Sequence, residues 1–125
     1  MPKRATKRKL AVRRVRSPSR RSRSPHKPTK DAVTLIVQLR PREGQELLLE
    51  AELRALVGPT RKEEGCLSYE LYRSSEAPTR FMLHEVWASR EDHAHHTNTP
   101  HFLRWNARKE ALLASRESAF WQRLV

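Results

Sequence analysis

Along residues 33–125 the spacing of apolar side chains switches between a period of two and a period near 3.6. That succession restricts the fold more than any single motif does. Val33 to Leu39 (VTLIVQL) is β-branched and nearly continuous in apolar character, as in a strand with both faces covered. Arg40-Pro41-Arg42-Glu43-Gly44 interrupts it, because Pro41 has no amide to donate to a ladder. From Gln45, Leu49, Leu53 and Leu56 recur at helical spacing, with Leu48, Ala51 and Ala55 widening the stripe. Gly58-Pro59 predicts a kink or break, and Gly65 a C-terminal cap.

Cys66 to Arg73 (CLSYELYR) alternates as a strand, and Arg80 to Trp87 forms its hairpin partner across a polar turn containing Pro78. Ser89-Arg90-Glu91-Asp92 has the spacing of a capping box opening a short helix to about His96. Thr99-Pro100 starts another, with Thr99 as cap and Pro100 at the first helical position. Leu103, Ala107, Ala111 and Ala114 predict its apolar flank, and Ala119 to Val125 a last strand. The order β-α-β-β-α-β defines an α+β, ferredoxin-like fold with a four-stranded antiparallel sheet. Helices cover one face of such a sheet. Here both parities of a strand carry large apolar groups, Phe81, Leu83 and Trp87 against Met82 and Val86. The second face therefore calls for a partner, and a second copy of the chain is the simplest.

Composition matters chiefly for dividing the 125-residue chain. The first thirty residues hold 13 of the 26 lysines and arginines and no acid, so residues 31–125 carry 13 basic against 14 acidic side chains. The net charge of +12 thus belongs to residues 1–30 and gives no reason to read the domain at 31–125 as a nucleic-acid binder. Residues 1–30 are too poor in apolar groups to offset the entropy of ordering, which predicts a disordered tail. Its repeats Arg16-Ser17, Arg21-Ser22 and Arg23-Ser24 suit weak contact with nucleic acid or an anionic surface, and its acid-free composition leaves organellar targeting open. A lone Cys66 forms no intrachain disulfide, which fits a reducing, cytoplasmic setting. No apolar run is long enough to span a bilayer.

Three segments, taken together, resemble one family. Gly65-Cys66-Leu67-Ser68-Tyr69-Glu70-Leu71, Phe81-x-x-x-Glu85-Val86-Trp87-x-Ser89-Arg90 and His96-x-x-Thr99-Pro100-His101-Phe102 resemble the antibiotic biosynthesis monooxygenase domain over roughly residues 32 to 125. Small quinol monooxygenases and the isomerase that processes phosphorylated autoinducer-2 belong to that group. The resemblance implies a dimeric α/β barrel and, in many members, oxygen chemistry with no metal or flavin. Haem-degrading relatives carry an Asn on the first strand, a Trp after the third and a His on the last long helix. Trp87 matches the second, but Val37 and Asn106 stand near the other two, which argues against haem oxygenation.

Oxygenation without a cofactor needs an electron-rich substrate, such as a quinol or other aromatic small molecule, and a base to take its proton. His96, in the family's H-x-x-T-P-H-F pattern, is the first candidate, with Trp87 as catalytic partner or stacking platform. His101, His84, Tyr69 and Phe102 are expected to line the substrate site. His93 and His95 read as solvated residues, and Cys66 as a small buried thiol. A metal pairing of His93 with His96 lacks an acid or thiol at a familiar spacing, so neither metal nor cofactor is expected. The leading expectation is a cofactor-independent monooxygenase acting as a homodimer. A proton-transferring isomerase and a non-catalytic ligand-binding module are the alternatives.

Overall fold

The computed structural model describes residues 31–125; the readings made of residues 1–30 lie outside it. Four strands and three helices follow in the order β1 (Val33–Pro41), α1 (Glu46–Arg61), β2 (Cys66–Arg73), β3 (Phe81–Trp87), α2 (Arg90–His96), α3 (Pro100–Leu112) and β4 (Leu113–Trp121). The sheet is antiparallel in the order β2-β3-β1-β4, the ferredoxin-like interleaving of two β-α-β units. It is open, with β2 and β4 at its edges.

Odd-numbered side chains of β1 and β3 point at the helices. Leu35, Val37 and Leu39 register with Glu85, Leu83 and Phe81, all of them buried. Leu49, Leu53 and Leu56 of α1 close over them, together with Trp105 and Leu112 of α3. Each such side chain contributes about 1.5–3 kcal/mol by leaving water. The even positions Ile36, Met82, His84 and Val86 lie on the other face, half-buried and, among the described residues, without a helix above them.

Several boundaries differ from the sequence expectation. Strand β1 runs on through Pro41, where a register irregularity at Arg40/Pro41 accommodates the missing amide. Helix α1 passes unbroken through Gly58-Pro59; Pro59 forgoes the bond to the Ala55 carbonyl, but only two helical residues follow it. Buried Thr60 holds that turn against the core. The flank Leu103, Ala107 and Ala111 faces solvent, and α3 instead buries Trp105 and Leu112. Strand β4 begins at Leu113 rather than Ala119 and ends at Trp121. Pairing with β1 starts at Pro41↔Leu113, and the Arg42 N–H donates to the Leu112 carbonyl at 2.8 Å.

Candidate active site

Trp87 ends β3 on the helix-facing side, fully buried. Glu85, two residues earlier, shares that side by strand alternation, and the indole N–H of Trp87 donates to Glu85 Oε1 at 2.9 Å. Tyr69 of β2 registers directly opposite Glu85. Burial pushes the Glu85 carboxyl above its usual range, against the pull of the Trp87 bond. The Tyr69 phenol is driven well above its own range, first by burial and then by the charge of Glu85.

The short helix α2 delivers His96 onto this floor. Ser89 caps it as expected, its Oγ accepting the Asp92 N–H at 3.1 Å and donating to Asp92 Oδ2 at 2.9 Å. His96 is 1% exposed, its ring centroid 4.7 Å from Trp87, 5.0 Å from Phe102 and 5.9 Å from Tyr69. Thr99 then turns the chain into α3. Its hydroxyl donates to the His96 carbonyl at 2.8 Å and accepts the Phe102 N–H at 3.3 Å, with Pro100 in the first turn. That turn carries His101.

The residue that joins these histidines went unremarked in the sequence. Glu63, in the charged connection between α1 and β2, reaches across so that its Oε2 meets His96 Nδ1 at 2.7 Å and His101 Nε2 at 2.6 Å. The Thr99 hydroxyl lies 3.2 Å from the same His101 nitrogen. Burial raises the Glu63 carboxyl, but the bonds from His96 and His101 outweigh it and hold the group below its ordinary value. An ionised Glu63 accepts from both rings, and in a neutral His96 this arrangement places the hydrogen on Nδ1 and the lone pair on Nε2. A carboxylate orienting an imidazole is the support that a general base requires. The other carboxylate oxygen, Oε1, is buried without a hydrogen-bond partner among the described residues.

Of the candidate residues, Trp87, His96, His101, Tyr69 and Phe102 come together and His84 does not. His84 stands opposite Ile36 and Glu70 on the helix-free side of the sheet. His95 is exposed as expected, whereas His93 is half-buried. The His93 ring lies 5.8 Å from Trp87 and 5.4 Å from Phe120, and burial lowers its pKa. Cys66 is half-buried opposite Trp87, with its thiol pushed up to about 12, chiefly by burial, far from a nucleophile's range. Val37 lies in the core and Asn106 in solvent, so neither position supplies what a haem-degrading relative has there.

A cavity of about 770 Å³ lies elsewhere, between α1 and β2, lined among others by Arg54, Arg61, Arg73 and Phe81. Arg54 and Arg73 are both tied to Glu50 at 2.9 Å, and none of the described histidines reaches this space. The chemistry points to the histidine cluster, where side chains rather than an open cleft fill the volume.

The sequence profile of the antibiotic biosynthesis monooxygenase family matches residues 32–108, and the chain belongs to that family. A Mycobacterium tuberculosis protein named "Putative monooxygenase" is 37% identical over 81 residues, 65% of this chain and 79% of its own length. The crystal structure of a Pseudomonas aeruginosa protein superposes with a TM-score of 0.74 at 38% identity, over 77% of this chain and 97% of that one. A solved structure from Mycobacterium tuberculosis gives 0.71 at 33% identity, over 75% of this chain and 96% of that one. Among the described residues, no helix is long and apolar enough to cross a membrane.

Proposed function

We propose that the chain is a cofactor-independent monooxygenase acting on a phenolic or quinol-like molecule, with His96 as the base. The observation that carries this is the Glu63–His96 pair, bonded at 2.7 Å and set against Trp87, Phe102 and Tyr69 in a site nearly sealed from water. His96 Nε2 takes the hydroxyl proton, and the phenolate passes an electron to dioxygen. The two radicals join at a ring carbon. One oxygen atom stays on that carbon and the other leaves as water with the hydroxyl and ring hydrogens, so the substrate supplies all four electrons. Trp87 offers a stacking face. A substrate reaches His96 by displacing the half-buried His93, His101 and Phe102 around it.

The helix-free face of the sheet, with Ile36, Met82 and Val86, suits a second copy of the chain, so the working form is a homodimer. A reducing, cytoplasmic setting fits the single cysteine.

Oxygen uptake across a panel of quinols and dihydroxynaphthalenes tests the reading. Turnover by the full chain and its loss in His96→Ala is the expected result, and uptake unchanged in that variant overturns it. A second reading, a proton-transferring isomerase, draws on the opposite displacement of two carboxyls, Glu63 downward and Glu85 upward. Turnover that continues without oxygen would favour it.

A further inference from the structure

We propose that Glu63, His96 and His101 form a binding site for a divalent transition-metal cation such as Zn²⁺ or Co²⁺. Glu63 Oε2, His96 Nδ1 and His101 Nε2 all lie within 4.8 Å of one another, and no cation is present. They come from three separate pieces of chain, the α1–β2 connection, the end of α2 and the first turn of α3. Two imidazoles and one carboxylate are the donor set of borderline cations such as Zn²⁺, Co²⁺ and Fe²⁺, whereas Ca²⁺ and Mg²⁺ prefer all-oxygen shells.

A second observation points the same way. Glu63 Oε1 is buried with no hydrogen-bond partner among the described residues, although its companion oxygen takes both imidazoles. A buried carboxylate oxygen left bare is unfavourable, because it has given up water without gaining a donor. A cation between the three side chains removes that cost by drawing on the whole carboxylate. Ligands at about 2.0–2.2 Å from such a cation stand roughly 3.4 Å apart around a tetrahedron. The present contacts of 2.6 and 2.7 Å are thus the closed, hydrogen-bonded form of the site, and loading opens each by under an ångström or so.

The cation and the base role exclude each other. A metal on His96 Nδ1 takes the lone pair there, which puts the hydrogen of the neutral ring on Nε2. The nitrogen assigned to the substrate proton then has none to accept it. This consequence rests on the proposed function; binding itself does not.

The test uses the full chain, stripped with a chelator and titrated with Co²⁺ while the visible d–d bands are followed, with Zn²⁺ as competitor. One equivalent per chain is expected. His101→Ala, a partly exposed position, and Glu63→Gln should weaken binding by about 100-fold or more, with folding of both checked by circular dichroism. His95→Ala serves as the exposed-histidine control and should leave binding unchanged. Absence of stoichiometric bands overturns the proposal, as does binding that survives in Glu63→Gln or follows His95 instead. Oxygen uptake of the stripped protein separates the two readings. Uptake retained and halted by one equivalent of Zn²⁺ supports both. Uptake retained with no Co²⁺ site removes only the cation. Uptake that requires the metal removes the cofactor-free reaction and leaves the site standing.

Discussion

Glu85 and Trp87 stand two residues apart on one strand, and the carboxyl of the first receives the indole N–H of the second at 2.9 Å in the core. The pair is part of the fold's stability as well as of the site's floor, because a buried carboxyl is tolerated only while something donates to it.

Trp87→Phe keeps the ring and removes the donor. Glu85 Oε1 is then left bare, and the variant should lose about 1–3 kcal/mol beyond the packing change. Urea unfolding of both proteins measures it, and Trp87→Phe combined with Glu85→Gln should recover part of the loss.

The same carboxyl gives a pH dependence of defined sign. Its folded pKa lies above the ordinary 4.5, so its contribution is full below that value and is lost as pH rises through the folded pKa. Glu85→Gln removes this dependence. The stability of the variant relative to wild type should therefore rise between pH 4.5 and neutrality, read from midpoints of chemical denaturation at each pH. Glu63 pulls in the opposite direction, but it is common to both proteins and cancels in the difference.

Glu63→Gln should cost about 100-fold in kcat with KM within a few-fold, because the amide no longer fixes which nitrogen of His96 carries the hydrogen. Steady-state oxygen uptake is the measurement. Equal loss in kcat and binding would instead mark Glu63 as a packing residue.

His84 lies away from the candidate site, on the helix-free face proposed to pair two copies of the chain. His84→Ala should leave turnover unaltered, while Ile36→Glu on the same helix-free face should convert a dimer to monomer in light scattering. An Ile36→Glu chain that stays dimeric would place the contact elsewhere.

Cys66 should resist alkylation by iodoacetamide at neutral pH in the folded chain and react within minutes in urea, as expected for a thiol pushed up to about 12.

What the sequence made legible was whatever local period and caps encode. Strands β1 to β3 and the Ser89 and Thr99 caps follow from neighbours a few residues away, whereas β4 starts six residues before the expected Ala119, and His96 is singled out by the resemblance of its H-x-x-T-P-H-F pattern. The helix-facing parity of Glu85 could have been read from its alternation with Leu83 and Trp87. Glu63 could not, since in Arg61-Lys62-Glu63-Glu64 it resembles any solvated acid, and its contacts lie 33 and 38 residues on. The apolar flank predicted for α3 failed for a related reason. Alanines at helical spacing say little about which side docks, whereas Trp105 has enough surface to decide it.

Gly65 is buried beside Asp92, and a methyl group on its α-carbon would overlap Asp92 Cβ and Cγ. Asp92 has little room to withdraw, because Ser89 holds both its amide and its carboxylate, and the Gly65 carbonyl is itself taken by the Ala88 N–H at 2.9 Å. The clearance between the segment bearing Glu63 and the helix bearing His96 is therefore set by a single hydrogen atom. Gly65→Ala, a change that touches neither partner, would pry them apart. The alignment of the acid with its imidazole is in this sense a tolerance machined into the backbone.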